Sequence, residues 1–379
     1  MDFSLTDEQK MVRETVRNFA ISEIKPMVAK MEETGEFPHE IIKKASQLGL
    51  CGIKIPVEFG GGGMDTISYI IAIEEICKIS ASVGVILSVN NSLVCDNIYH
   101  YGNDEQKKKY LIPLAKGELL GCFALTEADA GSDAGSIRTS ARKEGGCYIL
   151  DGTKVFTTNG VNAHVAIVFA VTDKEKGKKG ISAFIVEKGT SGFSVGREEE
   201  KMGLKGSETV ELIFDNCKIP KENILGKEGD GFKIALSTLD SGRIGIAAQS
   251  IGIASACFEE ALKYSKERVQ FGKPISDFQA IKWMIADMST EIEAARVLAF
   301  RAAYLKDSKE RFTKEAAQAK LYASEMVNRV AYRAGQIFGG YGYCKEYSVE
   351  RFYRDARVTT LYEGTSEIQR LVIARELLR

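Results

Sequence analysis

The chain has 379 residues, of which 51 are Lys or Arg and 52 are Asp or Glu, for a net charge of −1. Because one hydrophobic core stops growing at roughly 250 to 300 residues, we expect two or three domains. The balanced charge disfavours a nucleic-acid-binding arm. The N-terminus lacks the pattern of a secretory signal, and no sequence window approaches the ~20 apolar residues of a membrane span. We therefore expect a cytoplasmic protein.

The potential metal ligands are dispersed. The eight cysteines contain no Cys-x-x-Cys pair, and the three histidines, His39, His100 and His164, lie far apart in the sequence. We therefore expect reduced thiols and no metal site, and zinc-water or Ser–His–Asp chemistry is disfavoured.

Residues 1–119 have the periodicity of helices. Thr6 and Gln9 have the spacing of a capping box, ahead of apolar Val12, Val16 and Phe19. Later segments repeat apolar residues at i, i+3 and i+4, which predicts an all-helical N-terminal domain.

Residues 120–229 change to short β-type runs separated by turn residues. In "CYILDGTKVFTT" the pair Asp151-Gly152 predicts a hairpin. Further runs begin at Val165, Ile181 and Glu208, and the basic stretch 172–180 between two of them is typical of a solvated hairpin loop. The pattern predicts a small antiparallel sandwich or barrel.

Helical periodicity returns in residues 230–379, with breaks at "RVQFGKPI" and "GQIFGGYGY". This predicts a C-terminal four-helix bundle and, for the whole chain, an α+β fold that is mostly α. A cleft where the sheet meets the two helical domains is a common place for a cofactor.

Two β-region stretches could carry a ligand. "CFALTEADAGSDAG" contains Gly131 and Gly135, which allow close backbone approach, and Thr126 and Ser132, which can hydrogen-bond phosphate or ring heteroatoms. An ordinary connecting loop has the same composition. In "KVFTTNG", Phe156 precedes the hydroxyls of Thr157 and Thr158, which suits either a flat cofactor or a half-buried strand.

The bundle contains two further stretches with open alternatives. In "LDSGRIG", Asp240 and Arg243 share a helix face and could grip a phosphorylated ligand or form a local ion pair. In "RVQFGKPISDFQ" a loop carries Arg268, Phe271 and Gln279, and its arginine could reach a pyrophosphate or cap a helix.

The stretch "LYEGTSEIQR" places Glu363 beside a glycine. Gly364 is expected to end one helix, and Ser366 with Gln369 is expected to form a capping box for the next. A carboxylate in a last helical turn has the wrong sign for the helix dipole, a mismatch below about 1 kcal/mol, which points away from a purely structural role for Glu363.

Taken together, these stretches resemble the acyl-CoA dehydrogenase family, particularly its short-chain, butyryl-CoA-type members. The matching segments occur in order along nearly the whole chain: "CFALTEADAGSD", "KMGLKGSET", "LDSGRIGIAAQ", "ERVQFGKPISDFQ", "QIFGGYGY" and "RDARVTTLYEGTSEIQR". Two departures are Ala128, where the family usually has proline, and "RVTTLYEGT", where butyryl-CoA enzymes commonly have "KITxIYEGT".

The resemblance implies FAD bound between the β domain and the bundle of a homotetramer. It implies that the flavin contacts Phe123, Leu125, Thr126, Gly131, Ser132, Phe156, Thr157, Thr158, Thr365 and Glu367. A neighbouring subunit's FAD would contact Arg268, Phe271, Gln279, Gln336, Ile337, Gly339 and Gly340. Acyl-CoA would contact Ser132, Asp240, Arg243 and Gly364.

By the same resemblance, Glu363 matches the catalytic base, which removes the α-proton of a thioester while a β-hydride passes to flavin N5. The thioester oxygen would accept hydrogen bonds from the Glu363 backbone N–H and a flavin ribityl hydroxyl. Some relatives carry the base on the "LDSGR" helix, where this chain has Gly242, so Glu363 is expected to act alone.

The resemblance thus implies interconversion of a C4 acyl-CoA and its enoyl-CoA, with electron-transferring flavoprotein as redox partner, and enoyl-CoA reduction as a possible physiological direction. The main alternative is a branched or aromatic substrate, such as a caffeoyl-CoA-like thioester, because "GVILSVNNSLVC" does not reveal the pocket depth. A non-catalytic flavin-binding or DNA-binding relative would lack the base and carry a basic surface patch. Because Glu363 is present and the chain is nearly neutral, this class of protein is disfavoured.

Overall fold

A computed structural model describes residues 4–379, and it confirms the mostly helical α+β architecture. The N-terminal region is helical. Its helices are α1 (Asp7–Phe19), α2 (Val28–Thr34), α3 (His39–Gln47), α4 (Thr66–Cys77), α5 (Ala81–Ser88), α6 (Asp96–Tyr101), α7 (Asp104–Gln106) and α8 (Ile112–Ala115). A π-helical segment, Val89–Cys95, joins α5 to α6.

The predicted capping box begins α1 and also ties it to α4. Thr6 Oγ1 accepts from the Gln9 N–H at 3.2 Å, and Gln9 Oε1 accepts from the Thr6 N–H at 3.1 Å. Gln9 Nε2 donates to Asp65 at 2.7 Å, and Asp65 in turn caps α4 through the Ser68 N–H. The side chain of Gln9 therefore joins the N-terminus of α1 to the N-terminus of α4.

A fully buried asparagine joins the helical region to the sheet. The side chain of Asn90 donates to the carbonyls of Cys51 and Leu114 at 2.8 and 3.3 Å, and its Oδ1 accepts from the Gly121 N–H at 2.9 Å. Gly121 is the first residue of the first strand. Asn90 therefore fixes the point at which the chain leaves the helical region.

The middle region is a mixed sheet with the path β6-β7-β3-β2-β4-β5-β8. The strands are β1 (Gly121–Ala124), β2 (Ser140–Glu144), β3 (Cys147–Thr158), β4 (Val165–Val171), β5 (Ile181–Glu187), β6 (Phe193–Glu198), β7 (Thr209–Pro220) and β8 (Ile224–Leu225). The expectation of a purely antiparallel sheet was wrong, because β1 pairs with β4 in parallel. The long connection that contains β2 and β3 permits this parallel return.

The predicted hairpin at Asp151-Gly152 was also wrong. Strand β3 runs through both residues with a register shift, and the turn lies between β2 and β3. Gly152 has φ 148°, and a Cβ there would lie 2.5 Å from Thr139 Oγ1, so the glycine serves a bulge and a close approach. The loop expected at 172–180 does connect the antiparallel pair β4 and β5.

The C-terminal region is the predicted four-helix bundle, built from α9 (Gly231–Glu267), α10 (Gln279–Asp307), α11 (Thr313–Phe338) and α13 (Ser366–Leu377). Helix α12 (Ser348–Arg357) and the short strands β9 (Val269–Gln270) and β10 (Lys273–Pro274) lie in its connections. Helix α9 is buried continuously over residues 241–257. Its glycines permit this, since a Cβ at Gly245 would lie 2.5 Å from the hydroxyls of Tyr69 and Ser88.

The described residues carry neither a membrane span nor a metal cluster. Within residues 4–379 we find no helix that combines the length and apolar character needed to cross a bilayer, and no grouping of three His, Cys, Asp or Glu placed to hold a metal. The cysteines are all free thiols.

We expect Asn90→Ala to lower the free energy of unfolding by about 2–5 kcal/mol, because it strips buried partners of their hydrogen bonds and leaves a void. The Gly121 N–H is among the groups that lose a partner. Thermal and denaturant unfolding measure the loss. The exposed Asn18→Ala on α1 is the control, and equal stability of the two variants would contradict this role for Asn90.

Candidate active site

Glu363 lies in a tight turn between a 3-10 segment (Val358–Thr360) and α13. The expectation that Gly364 ends a helix and Ser366 caps the next was wrong. Helix α12 already ends at Arg357, and Thr365 is the N-cap, with its hydroxyl accepting from the Ile368 N–H at 3.3 Å. Since Glu363 is not in a last helical turn, the dipole argument does not apply; instead, its positive φ of 50° marks a strained backbone.

Side chains from three helices hold this turn. Gln369 Nε2 of α13 donates to the carbonyls of Glu363 and Gly364 at 3.1 and 2.9 Å, and Lys320 Nζ of α11 donates to the Gly364 carbonyl at 2.7 Å. The Tyr362 hydroxyl donates to Gln249 of α9. Gly364 has φ 92°, and a Cβ there would lie 2.6 Å from Gln369 Nε2.

The Glu363 carboxylate projects onto the surface of α9. Its Oε2 is buried and has no hydrogen-bond partner within the described residues. A Cβ built on Gly242 would overlap Oε2 and would lie 2.8 Å from Leu93. The absence of a side chain at Gly242 therefore makes the room that the carboxylate occupies.

This environment shifts the acid–base equilibrium of Glu363. Burial raises the pKa of its carboxyl to about 7, against the opposing positive charges of Lys320 and Arg243. A carboxylate without a hydrogen-bond partner and with a pKa near neutrality is suited to accept a proton from a carbon acid. The arrangement therefore supports general-base chemistry at this turn.

Asp240 and Arg243 form an ion pair beside the base. Arg243 Nη1 lies 2.5 Å from Asp240 Oδ1, and Thr313 Oγ1 donates to the other Asp240 oxygen at 2.6 Å. Burial raises the pKa of Asp240 and lowers the pKa of Arg243. The local ion-pair alternative is thus realised, although the buried Arg243 Nε keeps an unused donor.

The two predicted segments of the β region lie side by side. The Val155 N–H donates to the Thr126 carbonyl at 2.9 Å, which places β3 next to the loop after β1. Phe156 is 63% exposed with φ 55°, and the Thr157 hydroxyl is buried without a partner. Phe123 and Leu125 belong to the adjacent β1 end, whereas Gly131 and Ser132 are exposed in the loop.

A second cluster lies at the far end of the bundle. Arg268, Ile337, Gly339 and Gly340 line a cavity of about 390 Å³ together with Tyr341, whose ring lies 5.6 Å from the Arg268 guanidinium. A Cβ at either glycine would meet open space. The other residues predicted for this region, Phe271, Gln279 and Gln336, are exposed and do not line the cavity.

The second cluster lies far from Glu363 along the bundle. Gly242, under the base, and Arg268, in the second cluster, are 26 residues apart on and just beyond α9. At 1.5 Å per helical residue this corresponds to about 39 Å.

Comparison with known proteins extends over the whole chain. The sequence matches "Acyl-CoA dehydrogenase, N-terminal domain" over residues 6–118, the corresponding middle domain over 122–217 and the C-terminal domain over 229–378. It is 52% identical to "Acyl-CoA dehydrogenase, short-chain specific" of Clostridium acetobutylicum, with both chains fully covered. The chain belongs to the acyl-CoA dehydrogenase family.

Solved structures agree with this assignment. The butyryl-CoA dehydrogenase of Megasphaera elsdenii is 48% identical, with a TM-score of 0.98 and full coverage of both chains. A chain in the structure described as "Electron transferring flavoprotein of Acidaminococcus fermentans: Towards a mechanism of flavin-based electron bifurcation" is 50% identical, with a TM-score of 0.99 and full coverage of both chains.

As a member of the family, the chain is an FAD-dependent oxidoreductase. Its residues fit that cofactor. The outward-facing Phe156 offers a flat apolar surface, the Thr157 hydroxyl is an unused buried donor, and the bare backbone at Gly339 and Gly340 allows close approach. The fit includes elements from both clusters.

A buried ion pair that no sequence pattern revealed supports the loop after β1. Lys154 is fully buried and bonds Glu127 at 2.7 Å and the Leu125 carbonyl at 3.0 Å, while Glu127 accepts from the N–H groups of Arg138 and Thr139 at 2.6 and 2.9 Å. Burial lowers the pKa of Lys154 to about 8, with Glu127 opposing. These bonds hold the loop on both sides of Ala128. No spacing rule connects two residues that are this far apart in sequence.

Substitution of Gly242 tests the packing of the carboxylate. We expect Gly242→Ala to displace Glu363 by about 1 Å and to lower kcat/KM roughly 100-fold or more, because a base must sit within hydrogen-bond reach of its proton. Steady-state kinetics of the holoenzyme measure the effect. Gly146→Ala, at a glycine with open space around it, is the control, and activity that survives Gly242→Ala unchanged would contradict the packing.

The shifted pKa of Glu363 makes stability depend on pH. Since the folded-state pKa is raised to about 7 from an ordinary 4.5, the protonated form is favoured by folding, and this contribution is lost as the pH rises through 7. Glu363→Gln should therefore match the wild type in thermal midpoint at pH 4, below the unfolded-state pKa, and exceed it by roughly a few degrees at pH 8. Equal midpoints at both pH values would argue against the shift.

Proposed function

We propose that this enzyme interconverts a short-chain acyl-CoA, with butyryl-CoA as the reference substrate, and its trans-2-enoyl-CoA, and that Glu363 is the base. The observation that carries the proposal is the half-buried Glu363, whose buried carboxylate oxygen Oε2 lies over Gly242 without a hydrogen-bond partner; burial raises the pKa of this carboxyl to about 7. Such a group is ready to take the α-proton of a thioester.

The proton step follows from the environment of the turn. Glu363 Oε2 takes the α-proton, and the product, a neutral carboxylic acid, is the form that the buried site favours. We assign the Glu363 N–H as a donor to the thioester oxygen, because acidifying the α-carbon requires preorganised donors at that oxygen. The residues proposed to hold FAD would place beside the thioester a flavin that would supply the acceptor, N5, for the β-hydride.

We propose that the cofactor is shared between subunits. One subunit would hold the flavin through the segments Phe123–Ser132 and Phe156–Thr158, with Thr365 and Glu367 completing the pocket, and its neighbour would contribute Arg268, Phe271, Gln279 and Gln336–Gly340. The distance between the two clusters along α9 supports this division. The corresponding assembly is a homotetramer.

We assign Ser132, Asp240, Arg243 and Gly364 to the acyl-CoA. A short acyl chain is supported by the packing along α9. Leu93 fills the space beside Gly242, and one helical turn further on, the buried hydroxyls of Tyr69 and Ser88, which are hydrogen-bonded at 2.8 Å, fill the space at Gly245. The similarity to short-chain and butyryl-CoA enzymes supports the same choice.

Two further parts of the proposal concern the partner and the domains. We propose electron-transferring flavoprotein as the redox partner, supported by the similarity to a chain in a structure described by that name.

We also propose domain limits of 1–119, 120–229 and 230–379, supported by the end of α8 at Ala115, the start of β1 at Gly121 and the start of α9 at Gly231.

The experiment is an anaerobic titration of the FAD-loaded protein. Butyryl-CoA should bleach the flavin absorbance, and Glu363→Gln should slow the bleaching by about 10²- to 10⁴-fold, the usual contribution of a positioned base. Glu222→Gln, which removes a remote exposed carboxylate, is the matched control.

Each contrary result of this titration has a distinct meaning. A protein that takes up no FAD would refute the cofactor assignment, and bleaching at an undiminished rate in Glu363→Gln would refute the base. If butyryl-CoA fails while a branched or arylacryloyl thioester reacts, the short-chain assignment is wrong and the base assignment stands.

A further inference from the structure

Lys320 is a buried lysine that lacks an ion-pair partner. It lies on α11, its side chain is fully buried, and Nζ donates to the Gly364 carbonyl at 2.7 Å. Among the ion pairs within 4.0 Å that the described residues form, none includes Lys320. A buried ammonium group with three donors and a single carbonyl acceptor is costly, so its presence requires a compensating charge.

The compensating charge is the base itself. Burial lowers the pKa of Lys320 to about 8, and the strongest opposing influence is the negative charge of Glu363. In the other direction, Lys320 contributes the largest opposing charge to the raised pKa of Glu363. Lysine and glutamate are thus linked both through the backbone of the Glu363–Gly364 turn and through their charges.

We propose that Lys320 is a positioning residue for Glu363: its ammonium group holds the Gly364 carbonyl and favours the ionised form of the neighbouring carboxylate before substrate binds. The inference rests on the proposed function of Glu363 and deepens it. The effect of the Lys320 charge can be distinguished from the effect of its hydrogen bond, because the neutral amide of Gln369 donates to the same Gly364 carbonyl at 2.9 Å. Gln369 can fix the turn, but it carries no charge.

The other charged and titratable groups near the base do not replace Lys320. Arg243 of α9 also faces Glu363, but its charge is balanced by Asp240 at 2.5 Å. Tyr69 of α4 and Tyr362 of the turn itself feel the charge of Glu363 and have raised pKa values. Glu367 and Glu325 act on Lys320 more weakly than Glu363 does, and Arg375 of α13 acts on the Asp240–Arg243 pair.

Removing the charge should therefore shift the pH dependence of proton abstraction. In the holoenzyme, we expect Lys320→Gln to move the acid limb of kcat/KM for butyryl-CoA upward by about one pH unit, the low end of the effect of a nearby charge. Lys320→Arg, which keeps the charge, should leave the limb within a few tenths of a unit. Gln369→Leu, which removes the neutral donor, should lower the plateau rate without moving the limb.

A substrate analogue that cannot reduce the flavin isolates the proton-abstraction step. A butyryl-CoA analogue with sulphur in place of the β-carbon can lose its α-proton but has no β-hydride to transfer, so the pH dependence of its ionisation, followed by absorbance, reports the base alone. The same upward shift of about one unit is expected for Lys320→Gln. A limb that does not move in Lys320→Gln, or that moves equally in Gln369→Leu, would overturn the proposal.

A reciprocal measurement covers the case in which Lys320→Gln does not fold. In Glu363→Gln the ammonium loses its counter-charge, so the pKa of Lys320 should fall by about one unit, measured by carbon NMR of ε-labelled lysine with Lys320→Arg to assign the signal. An unchanged lysine titration would overturn the proposal. Failure of the wild type to react with butyryl-CoA would instead count against the proposed function.

Discussion

The chemistry depends on one contact, that of the Glu363 carboxylate with the bare backbone of α9 at Gly242. The oxygen at this contact is buried and has no hydrogen-bond donor within the described residues, so its ionised form is poorly stabilised. This cost raises the basicity of the group. The surrounding structure maintains the contact, because α9 is buried over residues 241–257, α13 and α11 hold the turn, and Leu93 closes the space beside the carboxylate.

The fold supplies the rest of the site by joining rigid elements at short polar contacts. Asn90 anchors the start of the sheet to the helical region, and Asn159, at the end of the proposed flavin segment, donates to the Ile86 carbonyl of α5 at 3.1 Å. Tyr69 and Ser88 then pack over Gly245 of α9. A continuous series of contacts therefore links the β region to the helix under the base, which fixes the cofactor side relative to the acid–base side.

The sequence predicted what depends on local or periodic patterns. The helical regions, the Thr6–Gln9 cap and the bundle all follow from periodicity or capping chemistry, and the role of Glu363 as the base stays a prediction from motif resemblance. It failed where tertiary contacts override a local rule: Asp151-Gly152 forms a bulge because Thr139 packs against the glycine, and Thr365 rather than Ser366 caps α13. Lys320 and the Glu127–Lys154 pair could not be found, since their partners are remote in sequence.

The most direct test is a titration of Glu363 itself in the substrate-free holoenzyme. The infrared carboxylate band that disappears in Glu363→Gln can be followed from pH 4 to 9 as a difference spectrum, roughly spanning both the ordinary and the shifted pKa. The account predicts a midpoint near 7. A midpoint at the ordinary glutamate value of about 4.5 would contradict it, because the carboxylate would then be solvated or paired and would not be held bare against Gly242.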